Sequence, residues 1–138
     1  MKPYWEHFAH GADVGIRGVG QSLAEAFEQA GLALCAVITD PRDVAATSHV
    51  HFDIASAEPD LMFIDWINRL VYEMAVTGRL FSQFDVTIDE SGLHAEVGGE
   101  PVDRKRHQPA VEVKGATFTE LKVMRRDDGW LAQCIVDV

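Results

Sequence analysis

The chain has 138 residues, is 47% hydrophobic, and carries twelve Lys plus Arg against twenty-two Asp plus Glu, a formal charge of −10. That size and apolar share fit one domain over residues 1–138 with a real core, and exclude a disordered tail. The acidic balance argues against an independent nucleic-acid binder, which needs a basic footprint to release counterions; it favours metal cations or a basic protein surface as partners.

The opening Met1-Lys2-Pro3-Tyr4-Trp5-Glu6 has no apolar signal core, and no apolar run is long enough to span a bilayer, so a cytoplasmic location is expected. A first strand is predicted from Tyr4 to Phe8 and, after a His10-Gly11-Ala12-Asp13 turn, a second from Val14 to Val19. Ser22 and Glu25 stand at capping-box spacing. Leu23, Phe27, Ala30, Leu34 and Val37 then recur at helical steps, and Thr39-Asp40-Pro41 ends that helix. Val44 to Ala55 reads as a strand, with Val50, Phe52 and Ile54 alternating against His49, His51 and Asp53. Pro59 opens a second helix with Phe63, Trp66, Ile67, Leu70, Val71 and Met74 on its buried face, and Gly78 stops it.

The remainder reads mostly as strand. Phe84–Ile88 turns through Asp89–Gly92 into Leu93–Val97, a polar loop covers Gly98–Pro109, and Phe118–Met124 pairs with Trp130–Val138 through Asp127-Asp128-Gly129. The fold class is therefore α+β, a mixed or antiparallel sheet system with two helices packed against it. Gly15, Gly18 and Gly20 lack the dinucleotide-loop order and serve close backbone packing or tight turns instead. Cys35 and Cys134 lie far apart in apolar runs, without metal or redox spacing, and read as buried thiols.

Three places carry chemistry. In His10-Gly11-Ala12-Asp13-Val14-Gly15-Ile16, Asp13 is either a turn former or a carboxylate aimed at a ligand that small neighbours let approach. The chain ends Cys134-Ile135-Val136-Asp137-Val138, an apolar strand finishing on a carboxylate and a terminal carboxylate. Such oxygens, with one or two more carboxylates, repel one another unless a cation neutralises them; calcium suits the set best and magnesium second. Asp40 is a third candidate, equally readable as a helix-end residue. Lys114 enters a strand between Val113 and Gly115, either as a solvated edge lysine or as a cation reaching towards the acids or a partner. Two weaker features read as solvated surface: the imidazoles of His49-x-His51 share a strand face, and Arg104-Lys105-Arg106-His107 forms a local basic patch.

These segments together resemble the archease family. His10–Ile16 looks like its H-T-A-D-V-G-I signature, Val111–Phe118 is similar to its E-V-K-A-x-T-Y segment, and Ile135–Val138 resembles its closing terminus. The Ser22–Phe27 and Ile38–Asp40 steps follow in the same order. Gly11 stands where the family usually has Thr, Gly115 where it has Ala, Phe118 where it has Tyr and Thr119 where it has His. The resemblance implies a calcium site on Asp13, Asp137 and Val138 with Asp40 close by, and roles for Lys114 and His10 in acting on a partner. That partner would be the RtcB-type, GTP-dependent RNA ligase of tRNA splicing or RNA repair, whose guanylylation the protein would speed. GTP would be bound by the ligase, and RNA contacted only indirectly. Two other classes fit the same residues: a metal-dependent phosphoesterase with His10 as base, and a chaperone or binding module.

Overall fold

A computed structural model describes residues 1–138. Its first hairpin joins β1 (Tyr4–His10) to β2 (Asp13–Gly20) across Gly11-Ala12. Gly11 has φ 60°, the left-handed conformation a tight two-residue hairpin turn requires at its first position. Helix α1 (Leu23–Ile38) follows, with Ser22 Oγ accepting from the Glu25 N–H. The Glu25 carboxylate accepts from the Gln21 N–H at 2.7 Å, one residue beyond the Ser22 N–H that an ideal capping box uses. Helix α2 (Pro59–Thr77) ends on Gly78 at φ 64°, the left-handed stop expected of that glycine.

The strands sort into two sheets, and every pairing is antiparallel. One runs β1-β2-β8-β6, with β7 (Lys122–Arg126) also on β8 (Gly129–Asp137) and β6 reduced to Gly115–Ala116. The other runs β3-β5-β4, from Ser48–Ile54, Gly92–Pro101 and Arg79–Asp89. One cluster of 26 buried residues draws on both sheets and on α1 and α2. At its centre the Trp66 indole N–H donates to the Phe27 carbonyl at 2.9 Å, tying α2 to α1. Residues 16 and 134 pair across β2 and β8, and Cys134 and Cys35 are both buried; burial pushes each thiol up to about 12. No helix is long and apolar enough to cross a membrane.

The strand expected from Phe84 already starts at Arg79, directly after the Gly78 stop, and three further boundaries differ for a local reason. The third strand starts at Ser48 rather than Val44, because Pro41–Asp43 forms a 3-10 turn capped by Asp40. The last hairpin's first strand starts at Lys122 rather than Phe118, because Glu120 is left-handed at φ 56° and breaks the run. The stretch from Gly98 to Pro109 is not a polar loop. Gly98–Pro101 completes β5, and Arg104–His107 forms a short helix, α3.

That helix also corrects the reading of the basic patch. Arg106 and His107 are spent on Glu100, which is only 8% exposed. Glu100 accepts from the Arg106 guanidinium at 2.6 and 3.0 Å, from the Ala45 N–H at 2.6 Å, and from His107 Nε2 at 3.1 Å. His107 Nδ1 accepts from the Asp103 N–H, so its Nε2 carries the proton given to Glu100. Thr39 and the Ala110 N–H bind the same segment to the end of α1. The Arg106 guanidinium, then the Ala45 N–H, hold the Glu100 carboxyl down at about 2, against an ordinary 4.5. A carboxyl with a depressed folded pKa stabilises the fold fully above its unfolded value and loses that contribution as pH falls towards the folded one. The melting temperature is therefore expected to drop between pH 4.5 and pH 2 more steeply in the parent than in Glu100→Gln, which is already less stable at neutral pH. Parallel curves for the two proteins across that range would contradict this role.

Candidate functional site

Antiparallel register brings the two ends of the chain together. Val14 and Val136 are the last pair of the β2–β8 ladder, and Asp13 and Asp137 lie one residue beyond it on the two neighbouring strands. His10 pairs with Asp13 on one side, and Gly115 with Asp137 on the other. The His10–Asp13 and Gly115–Asp137 pairs thus lie at the same margin of the sheet. The Lys114 N–H donates to the Asp137 carbonyl at 2.8 Å, and the Val138 N–H approaches Asp13 Oδ1 at 3.5 Å.

Neither Asp13 nor Asp137 has a cationic side chain within ion-pair distance. Asp13, Asp137 and the Val138 backbone could offer a cation only hard oxygens, which suit calcium or magnesium rather than a thiophilic metal.

Two candidates stand elsewhere. The Asp40 carboxylate caps the 3-10 turn through the Arg42 N–H and pairs with the Arg42 guanidinium at 2.7 Å. These bonds to Arg42 lower its pKa. It lines a hollow with Trp5, His7, Leu32 and Ala36, on the side of the sheet that faces α1. Strand alternation turns His10 and Asp13 to the face opposite His7. No three His, Cys, Asp or Glu side chains gather anywhere as a metal cage, so a ready-made cage of Asp13, Asp40 and Asp137 is absent. The Lys114 side chain makes no ion pair with the acids and instead lines a groove beside α2.

The exposed His49 and His51 face Gln83 and Glu96 at 3.3 Å each, on the open side of the second sheet. There His94 bridges Asp53 and Asp89, bonds that raise its pKa. The sequence reading overlooked Asn68, whose Oδ1 accepts from the Ala116 N–H at 2.9 Å and steadies the short β6. An amide in the middle of an apolar helical repeat was the available signal. A Cβ on Gly115 would sit 3.1 Å from that same oxygen, which makes glycine the easier fit here. Gly11 has nothing within 4 Å of a built Cβ, and Phe118 is 66% exposed.

Residues 5–138 match the Archease protein family (MTH1598/TM1083). Protein archease of Pyrococcus furiosus is 34% identical over 97% of this chain and 98% of its own length. Protein archease of Sulfurisphaera tokodaii is 33% identical over the same shares. The solution structure of Methanobacterium thermoautotrophicum protein 1598 superposes with a TM-score of 0.79 at 27% identity, covering 97% of this chain and 98% of that one. With the family pattern matched from the first strand to the last residue, and the same α+β architecture in a solved relative, this chain belongs to the archease family.

Proposed function

We propose that this chain is an accessory protein, not itself the catalyst, that binds a divalent cation and activates an RtcB-type, GTP-dependent RNA ligase. The observation that carries the reading is that the β2–β8 ladder ends with Asp13 and Asp137 on neighbouring strands, Asp13 approached by the Val138 N–H, and that neither acid has a cationic partner. Calcium, with magnesium as the alternative, would be held by both carboxylates and the Val138 backbone oxygen; when bound it would supply positive charge at an otherwise anionic tip. Asp40 lies in the hollow on the α1 side of the sheet and pairs with Arg42, so the proposed set is Asp13, Asp137 and Val138.

The chain's own residues do the rest. The β2–β8 pairing brings the backbone that carries Asp13 alongside the backbone that carries Asp137. Lys114 holds the end of β8 through its N–H, and His10 borders the acids from β1. A strongly acidic protein is drawn to the cationic groove an RNA ligase needs, and its acidic margin would enter there. In that position it would help place metal and GTP phosphates for transfer of the guanylyl group to the ligase.

Single-turnover guanylylation of the ligase, run with and without this protein, tests the reading. Faster label transfer with the protein present is the expected result. Equal rates would sink it, and turnover of phosphoesters by the protein alone would favour the hydrolase reading.

A further inference from the structure

A groove of about 680 Å³ runs between the second half of α2 and residues 109–114. Val71, Met74, Leu80 and Val113 give it an apolar floor. Arg79, Arg104 and Lys114 border it, and none of the three makes an ion pair. Glu112 is its one acidic lining residue. A cationic border is unusual on a chain of charge −10, and it selects an anionic occupant.

The groove wall adds a second demand. Residues 109–114 are pinned at both ends: the Ala110 N–H donates to the Ile38 carbonyl and the Lys114 N–H to the Asp137 carbonyl, each at 2.8 Å. Between those anchors Val111, Glu112 and Val113 neither donate nor accept a protein backbone hydrogen bond. Val111 is also 41% exposed. Unpaired N–H and C=O groups beside an apolar floor are the parts that recognise an added strand. Main-chain bonds supply the affinity, and alternate side chains enter the floor.

We propose that this groove takes an extended segment of the ligase in which apolar and acidic side chains alternate, paired to the backbone of Val111–Val113. The apolar set would face Val71, Met74 and Leu80, and the acidic set would meet Arg79, Arg104 and Lys114. Lys114 joins the two surfaces, since its N–H lies on Asp137 while its side chain lines the groove. One docking event would then cover the acidic pair and the groove together. The inference rests on the ligase-activator reading.

Hydrogen exchange on the full chain, alone and with purified ligase, reads the backbone directly. The amides of residues 111–113 are expected to slow at least ~10-fold in the complex. Two variants test the affinity by fluorescence anisotropy. Glu112→Pro removes an N–H that no protein group uses, and Arg104→Glu reverses one border charge. Each should raise the Kd, and the concentration giving half-maximal acceleration, at least ~10-fold, with the melting temperature nearly unchanged. Suppose the parent accelerates guanylylation, yet both variants bind as it does and residues 111–113 stay unprotected. The groove proposal then falls while the activator reading stands. Protection by an RNA oligonucleotide alone would equally overturn it. No complex and no acceleration with the parent protein would remove both.

Discussion

Gly18→Val is expected to leave the protein largely unfolded at room temperature. A Cβ on Gly18 would overlap the Ala26 carbonyl oxygen and the Ala30 backbone nitrogen, both in the body of α1. Neither is the movable end of a side chain, so relief requires the whole helix to lift from β2. Lifting it would open the contacts of Phe27, Ala30 and Leu34, all completely buried. Overpacking a tight core costs about 1–3 kcal/mol, and more when backbone must move. Exposing even two large apolar side chains adds about 1.5–3 kcal/mol each. Against a total stability of about 5–15 kcal/mol the sum is close to the whole margin. Gly11→Ala is the control: its Cβ meets nothing within 4 Å, and the only cost is the left-handed backbone at φ 60°, about 1–2 kcal/mol. Far-ultraviolet dichroism and thermal melts separate the two. A cooperative melt for Gly18→Val within a few degrees of the parent would contradict the packing described.

The same contrast explains what could be read from the chain and what could not. Both long helices were legible because their punctuation is local: Ser22 with Glu25, Pro59, and Gly78 act within one turn of themselves. The strand face bearing His49, His51 and Asp53 was legible because alternation is a property of one segment. The approach of Asp13 to the end of β8 is different in kind. It joins residues 124 positions apart, and only the resemblance of both segments to one family connected them in advance. The features that went unread depend on side chains finding distant partners. Arg106 and His107 look like a solvated basic loop until Glu100 is folded beneath them. Asp40 looks like a free ligand until Arg42 curls back onto it. A left-handed Glu120 has no composition signal at all, yet it decides where β7 begins.

Asp13→Ala and Asp137→Ala should each abolish most of the acceleration of ligase guanylylation, and the double variant should be no worse than either alone. If the two carboxylates hold one cation, removing either leaves one side-chain carboxylate and the Val138 oxygens, too few hard donors to keep a calcium ion dehydrated. Substitutions one shell further from a metal already cost about 10–100-fold in affinity, so losing a direct ligand should cost at least that much. Residues acting as one unit give non-additive losses, whereas two independent surface contacts would multiply. Calorimetric calcium titration beside single-turnover guanylylation checks both halves. The fold should survive each change, because neither acid makes an ion pair and Asp13 gives up only a long 3.5 Å contact with the Val138 N–H. A double variant that loses the product of the single losses would mean that the acids contact the partner separately. Calcium affinity unchanged in Asp13→Ala would place the ion, if any, elsewhere on the protein.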